Sequence, residues 1–251
     1  MNVLGIILTV CLTATTRVNL SDFLVISHRG LPSEAPAHTF EGYDLAIEQG
    51  SSYLEQDVFL SADGYLIVSH DNKLVDGGLI TEMTLEEIQE LRTANGEPYY
   101  TLNEVFERYG DQVNYVIENK ATDHEFMVEK AILQVVSDYD LRDNVILQSF
   151  YPESLSFFKS ADVSIPRMLL VNEQRNQEVL KDWEQYDYGS MIVLESRMLN
   201  EERVTQLKEA GFKVFAYFAT EPEKESQRIM ELDLDGVFTD YTGRTISLRE
   251  S

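Results

Sequence analysis

The sequence predicts an α/β protein of the TIM (β/α)8-barrel class, built as a single domain, and three observations carry that expectation. Strand-like and helix-like runs alternate along the chain. The strand-like runs are almost continuously apolar, as expected for a parallel sheet covered on both faces. The length of 251 residues fits one (β/α) barrel without remainder.

The elements follow in order. FLVIS (23–27) reads as a first strand. AHTFEGYDLAIEQG reads as a helix with Thr39 as cap, apolar residues at Phe40, Tyr43 and Ile47, and Gly50 closing it. SYLEQDVFL and YLIVSH are strands. MTLEEIQELR is a short helix opening on a capping box, Thr84 with Glu87, and TLNEVFERYG repeats the device with Thr101 and Glu104. NYVIENKA is a strand and HEFMVEKAILQVVSDY a helix. NVILQSF is a strand, and PESLSFFKSA a helix with Pro152 in its first turn. IPRMLLV, GSMIVLE, FKVFAYF and DGVFTD are further strands, and LNEERVTQLKEAGF is a helix closed by Gly211. Eight such strands would close into a barrel. No linker, repeat or low-complexity segment interrupts the pattern.

Charge narrows the function. A net charge of −24 argues against a nucleic-acid partner, because no basic surface is present to neutralise phosphates. An anionic small molecule would be repelled at long range, so a site for one needs a local metal, Arg or Lys.

The N-terminus differs from the rest. VLGIILTVCLTA is apolar and suits a signal-peptide core better than a membrane span of about 20 residues. Residues 1–20 are expected to be a signal peptide or membrane anchor, and 21–251 the catalytic barrel. Secretion is expected, with membrane attachment through this segment as the alternative. No Lys or Arg precedes the run, and a short strand or a plug at the barrel bottom competes with the export reading. Cys11 is the sole cysteine, so cleavage leaves no disulfide. A lipoprotein reading of Leu8-Thr9-Val10-Cys11 fits poorly, since a small residue is expected at Val10.

Chemistry concentrates between Ile26 and Asp71. Two of the four histidines end apolar runs here, His28 and His70. Between them, Glu55 and Asp57 are spaced i, i+2 and share one face of a strand, as paired oxygen ligands for a hard cation would. Taken singly, each feature is commonplace. Together they recur where strands end and turn residues begin: Gly30 and Pro32, Asp63-Gly64, Asp71-Asn72. Glu118 and Lys120 repeat the spacing, and Gln148 ends the next strand. In a barrel, chemistry sits at such ends. Three clustered carboxylates are costly without a cation between them, which argues for a bound divalent metal.

His28-Arg29-Gly30, Pro36-x-His38-Thr39, Leu54-Glu55-Gln56-Asp57, His70-Asp71, Glu118-x-Lys120, Gln148-Ser149-Phe150 and Asp235-Gly236-Val237-Phe238-Thr239-Asp240 together resemble the glycerophosphodiester phosphodiesterase family, from about residue 23 to 245. The PxHT and EQD forms resemble its secreted or periplasmic bacterial branch. The resemblance implies a TIM barrel that cleaves glycerophosphodiesters to sn-glycerol 3-phosphate and an alcohol. It implies that Glu55, Asp57 and Glu118 take Ca2+ or Mg2+. It gives His28 and His70 acid and base roles, which one being left open, and puts Arg29 and Lys120 on the phosphate. Gln148 and Tyr217 are candidate substrate contacts, while His38 and His124 are expected to matter far less. The expected partner is a small molecule, with no nucleic acid and no membrane contact beyond the N-terminal segment.

Three departures stand out. The family's ENT or EHT reads Ala37-His38-Thr39, and its WTVN reads Tyr217-Phe218-Ala219-Thr220. The stretch from Asp71 to Thr101 is short, implying a reduced cap insertion and an open site. Two other functions remain open: a phospholipase D-like enzyme of the same superfamily, against which the intact HRG argues, and a catalytically silent binding module, which would be expected to have lost a histidine or carboxylate.

Overall fold

The computed structural model describes residues 17–75, 77–181 and 189–250. The apolar run around Cys11, on which the signal-peptide or anchor expectation rests, lies outside the described residues. Among the described residues, no helix is long and apolar enough to cross a membrane.

Among the described residues nine strands are formed: β1 (Leu24–Ser27), β2 (Tyr53–Leu60), β3 (Leu66–Val68), β4 (Asn114–Asn119), β5 (Val145–Ser149), β6 (Arg167–Val171), β7 (Met191–Glu195), β8 (Lys213–Tyr217) and β9 (Gly236–Thr239). The helices are α1 (Phe40–Glu48), α2 (Leu85–Gln89), α3 (Leu102–Tyr109), α4 (Met127–Asp138), α5 (Pro152–Ala161), α6 (Glu201–Glu209), α7 (Glu223–Met230) and α8 (Thr242–Glu250). All strands except β3 run parallel, and β1 pairs with both β9 and β2. The ring is therefore a closed eight-stranded (β/α) barrel.

The expected strand ending in His70 is the exception. β3 is antiparallel to β2, with Val58 opposite Val68 and Leu60 opposite Leu66. β2 overruns the barrel rim, and the Asp63-Gly64 turn sends the chain back down against the overrun. Gly64 takes φ +91, which glycine adopts without strain. His70 therefore reaches the mouth from above, on the return arm of a hairpin. This excursion has its own small core of Phe59, Ile67, Leu74, Ile80 and Ile88.

Alternation along the parallel strands sorts the barrel's two faces. Outward residues such as Leu54, Tyr115, Leu147 and Val214 pack under the helices. Inward ones, among them Ile26, Tyr53, Val116, Ile146, Met168, Val193 and Phe215, fill the interior as a packed plug. Each inward row continues toward the strand's C-terminal end, where apolar residues give way to polar ones. The helix starts follow the sequence closely: Thr39 caps α1, and both capping boxes form, at α2 and α3. α4 begins three residues after His124, and α7 and α8 are helices that the apolar periodicity did not indicate.

Candidate active site at the barrel mouth

The polar ends of the inward rows face one cavity of about 370 Å³, within the range of small-molecule sites. Its walls include His28, Arg29, Glu55, His70, Glu118, Lys120, Gln148 and Tyr217. Eight of the expected site residues are thus brought together. The ninth, Asp57, lies just behind the wall and is almost fully buried. His124 is exposed and not part of the cavity wall. Among the described residues, the excursion between 71 and 101 contributes nothing to the lining, in keeping with a reduced cap.

Register explains the crowding. Asp57 pairs with Glu118 across β2 and β4, and Glu118 with Gln148 across β4 and β5. Adjacent strands lie about 4.8 Å apart, so these three inward side chains form one row with Glu55 a step below. Burial first, then the neighbouring Asp57 charge, pushes Glu55 well above the usual carboxylate range and Glu118 up to about 8. Burial would raise Asp57 too, but the His38 hydrogen bond and the Lys120 and Arg29 charges outweigh it and hold Asp57 well below that range. Burial opposes the Lys120 ammonium, yet Asp57 and Glu118 raise it further. Lys120 Nζ lies 3.0 Å from Glu118 Oε1 and 3.2 Å from Asp57 Oδ1.

The HRG turn is held by the same carboxylates. Arg29 sits in the left-handed region at φ 60, which costs a non-glycine residue free energy and needs support. That support is explicit: Arg29 N–H donates to Glu55 Oε2 at 2.9 Å, and Arg29 C=O accepts from His38 N–H at 2.9 Å. Gly30 follows at φ 91 with no room for a side chain, since a Cβ would lie 2.9 Å from the Gly42 carbonyl carbon. Gln148 Nε2 donates to Glu55 Oε1 at 3.2 Å, fixing the other carboxylate oxygen.

Both cavity histidines are tethered through Nδ1. His28 Nδ1 lies 2.8 Å from Asp240 Oδ1, and His70 Nδ1 lies 2.9 Å from Asp71 Oδ1. A carboxylate on Nδ1 fixes a proton there and leaves Nε2 as the working nitrogen. Burial first, and then the Lys120 charge, lowers the His70 pKa below its ordinary value.

Sequence reasoning gave no role to Asp240 or to Glu221. Asp240 stands in a quoted motif, but nothing local indicates that it reaches His28. Buried Glu221 accepts from Asp240 N–H at 2.7 Å, Thr239 Oγ1 at 2.8 Å and Arg244 at 3.1 Å, bracing the loop that carries Asp240. His38 also lands differently from expectation. It does precede a helix cap, but its ring is buried against Asp57, with Nε2 3.0 Å from Oδ2. Burial pushes its pKa down to about 4, so the ring is neutral.

The donor set fits a hard divalent cation. Glu55, Asp57 and Glu118 stand on the paired strands β2 and β4, and buried Asp57 Oδ1 has no hydrogen-bond partner, with Lys120 Nζ 3.2 Å from it. His38, Glu55 and Asp57 offer ligand atoms all within 4.8 Å of one another. Glu118 is not in that group; its Oε1 lies 3.0 Å from Lys120 Nζ.

The profile of the glycerophosphoryl diester phosphodiesterase family matches residues 28–244. The chain is 28% identical over 247 residues to a glycerophosphodiester phosphodiesterase of Bacillus subtilis, covering 87% of this chain and 83% of that one. It is 29% identical over 241 residues to a glycerophosphodiester phosphodiesterase of Caldanaerobacter subterraneus, covering 90% and 97%. Among solved structures, a phosphodiesterase of Oleispira antarctica in complex with the product sn-glycerol-3-phosphate superposes with a TM-score of 0.80 at 28% identity, over 91% of this chain and 97% of that one.

Proposed function

We propose, for a chain that belongs to the glycerophosphoryl diester phosphodiesterase family, that its barrel-mouth cavity hydrolyses glycerophosphodiesters to sn-glycerol 3-phosphate and an alcohol. The observation that carries this reading is the pair of carboxylate-tethered imidazoles, His28 and His70, lining one cavity with Arg29, Lys120 and the carboxylate row. The Oleispira relative's product complex supports the substrate class.

Glu55, Asp57 and Glu118 would hold Ca2+ or Mg2+, which suit an all-oxygen donor set. When bound, the cation supplies positive charge against the phosphoryl oxygens. Arg29 and Lys120 line the cavity and bind the phosphate anion, overcoming the long-range repulsion of an acidic protein. One imidazole takes the proton of the substrate's glycerol hydroxyl as its oxygen bonds to phosphorus. The phosphorus–oxygen bond to the alcohol breaks, and the other imidazole gives that oxygen its proton. The resulting cyclic phosphate is opened by water with the two imidazoles exchanging roles. Gln148 fixes Glu55, and Tyr217, Phe150 and Phe238 line the same cavity as apolar surface for the substrate's carbon skeleton.

The test is release of glycerol 3-phosphate from glycerophosphocholine, with and without chelator. Release of free choline with glycerol 3-phosphate supports hydrolysis. Formation of a stable cyclic product alone points to the phospholipase D-like alternative, and no turnover at all points to a silent binding module. Export through the apolar N-terminal segment is part of the same proposal, and sequencing the N-terminus of protein from its native host tests it.

A further inference from the structure

His38 is the one buried histidine that the mechanism above leaves idle, and its surroundings are too specific for filler. It sits just before the α1 cap Thr39, in the left-handed region at φ 59, pinned there by its own N–H on the Arg29 carbonyl. A β-region residue would be cheaper at this point, so the chain accepts backbone strain to turn this ring inward. The ring is 5% exposed and is not among the residues that line the cavity.

Proton bookkeeping fixes how the ring is wired. Asp57 Oδ2, 3.0 Å away, is a carboxylate oxygen and only accepts, so His38 Nε2 carries the proton. Nδ1 lies 3.0 Å from the Tyr43 hydroxyl, which also meets the Glu55 carbonyl at 3.4 Å. Tyr43 is fully buried one turn into α1. The result is a chain, Tyr43 to His38 to Asp57, that ties a helix to one oxygen of one carboxylate. The other oxygen, Oδ1, stays without a hydrogen-bond partner. Arg29 Nε stands 3.3 Å from the same Oδ2 that His38 meets, and Lys120 Nζ 3.2 Å from Oδ1, so both cations also pull on the group.

We propose that His38 is a positioning residue that occupies Asp57 Oδ2 and holds Oδ1 turned toward the divalent cation. The inference rests on the metal reading of the carboxylate row and adds to it the device that orients one ligand. Partners behind metal ligands are typically worth about 10–100-fold in metal affinity or activity.

The test uses chelator-stripped full chain and calorimetric titration with Mg2+ and with Ca2+, alongside kcat and KM on glycerophosphocholine. His38→Leu keeps bulk but offers no donor, and should weaken metal binding about 10–100-fold. His38→Gln places an amide N–H near the position of Nε2 and should recover most of that loss. Tyr43→Phe removes only the second link and should fall between. Melting of the metal-free chain reports folding separately. If His38→Leu melts the chain, Tyr43→Phe decides, with a weaker metal Kd supporting the role and an unchanged one overturning it. Wild-type affinity in folded His38→Leu overturns the inference while leaving the metal reading intact. A wild-type chain that binds neither ion overturns the metal reading, and this inference with it.

Discussion

Asp240 Oδ1 lies 2.8 Å from His28 Nδ1, joining the end of the last barrel strand to the end of the first across 212 positions of sequence. This contact exists only because the barrel closes, with Ser27 in register with Thr239. It fixes the orientation of the imidazole, and in the proposed reaction it would be the group behind a proton-carrying ring. Asp240→Asn should keep the ring's place but lose the charge, lowering kcat on glycerophosphocholine by less than His28→Ala does. An Asp240→Asn enzyme with wild-type kcat would show that the tether has no part in turnover.

The histidines themselves should separate cleanly. General acid–base catalysis is typically worth about 10²–10⁴-fold, so His28→Ala and His70→Ala should each lose that much rate while substrate binding survives. His124 is exposed on the loop before α4, and His124→Ala should leave the rate near wild type. A loss with His124→Ala as large as with His70→Ala overturns the site assignment.

The barrel was legible because alternation and apolar strands are local signals. So were the catalytic candidates, since i, i+2 spacing places Glu55 with Asp57 and Glu118 with Lys120 on single faces. What stayed hidden depends on partners distant in sequence. The direction of β3 is set by its pairing with the β2 overrun, not by its composition, which matches a barrel strand. α7 fully buries only Ser226 and Ile229, with Met230 partly buried against the core, too few for a periodic signal. His38 looked like part of a helix start because its partner, Asp57, is brought to it only when α1 packs on β2.

The carboxylate row predicts that activity needs a divalent metal. Protein cations near it are Lys120 and Arg29, and Asp57 Oδ1 remains without a hydrogen bond. Excess EDTA should abolish glycerol 3-phosphate release, and Ca2+ or Mg2+ should restore it. Undiminished turnover with elemental analysis showing no retained metal contradicts this.

The titration of His70 has a defined sign. Burial and the positive charges of Lys120 and Arg29 disfavour the imidazolium more than Asp57 and Asp71 favour it. Its proton should therefore leave below the ordinary histidine value of about 6.5, so the ring is mostly neutral at pH 7. Lys120→Met removes a cation and should move the midpoint upward. The imidazole signals of the four histidines, followed by NMR against pH, report both quantities. A His70 midpoint above 6.5, or a downward move in Lys120→Met, runs against the electrostatics of the mouth.

Barrel closure can be tested apart from chemistry, at Gly236. This residue opens β9 where it is gripped between β1 and β8, opposite Leu24 on one side and Phe215 on the other. A Cβ built there would come 2.6 Å from the Leu24 carbonyl oxygen and 2.7 Å from the Phe215 ring. The oxygen belongs to backbone paired in the barrel, and the ring is 1% exposed among interior side chains, so neither can yield cheaply. Gly236→Ala should therefore destabilise the fold by roughly 1–3 kcal/mol, the usual range for overpacking. The urea midpoint should fall with the slope of the transition unchanged. Gly96, by contrast, meets nothing within 4 Å. Its φ of 85 is the sole objection to a side chain there. Gly96→Asn, which tolerates that region, should cost little. Equal stability of Gly236→Ala and the wild type would mean that β9 can move away from its neighbours, and that the closure through β1 is looser than the packing implies.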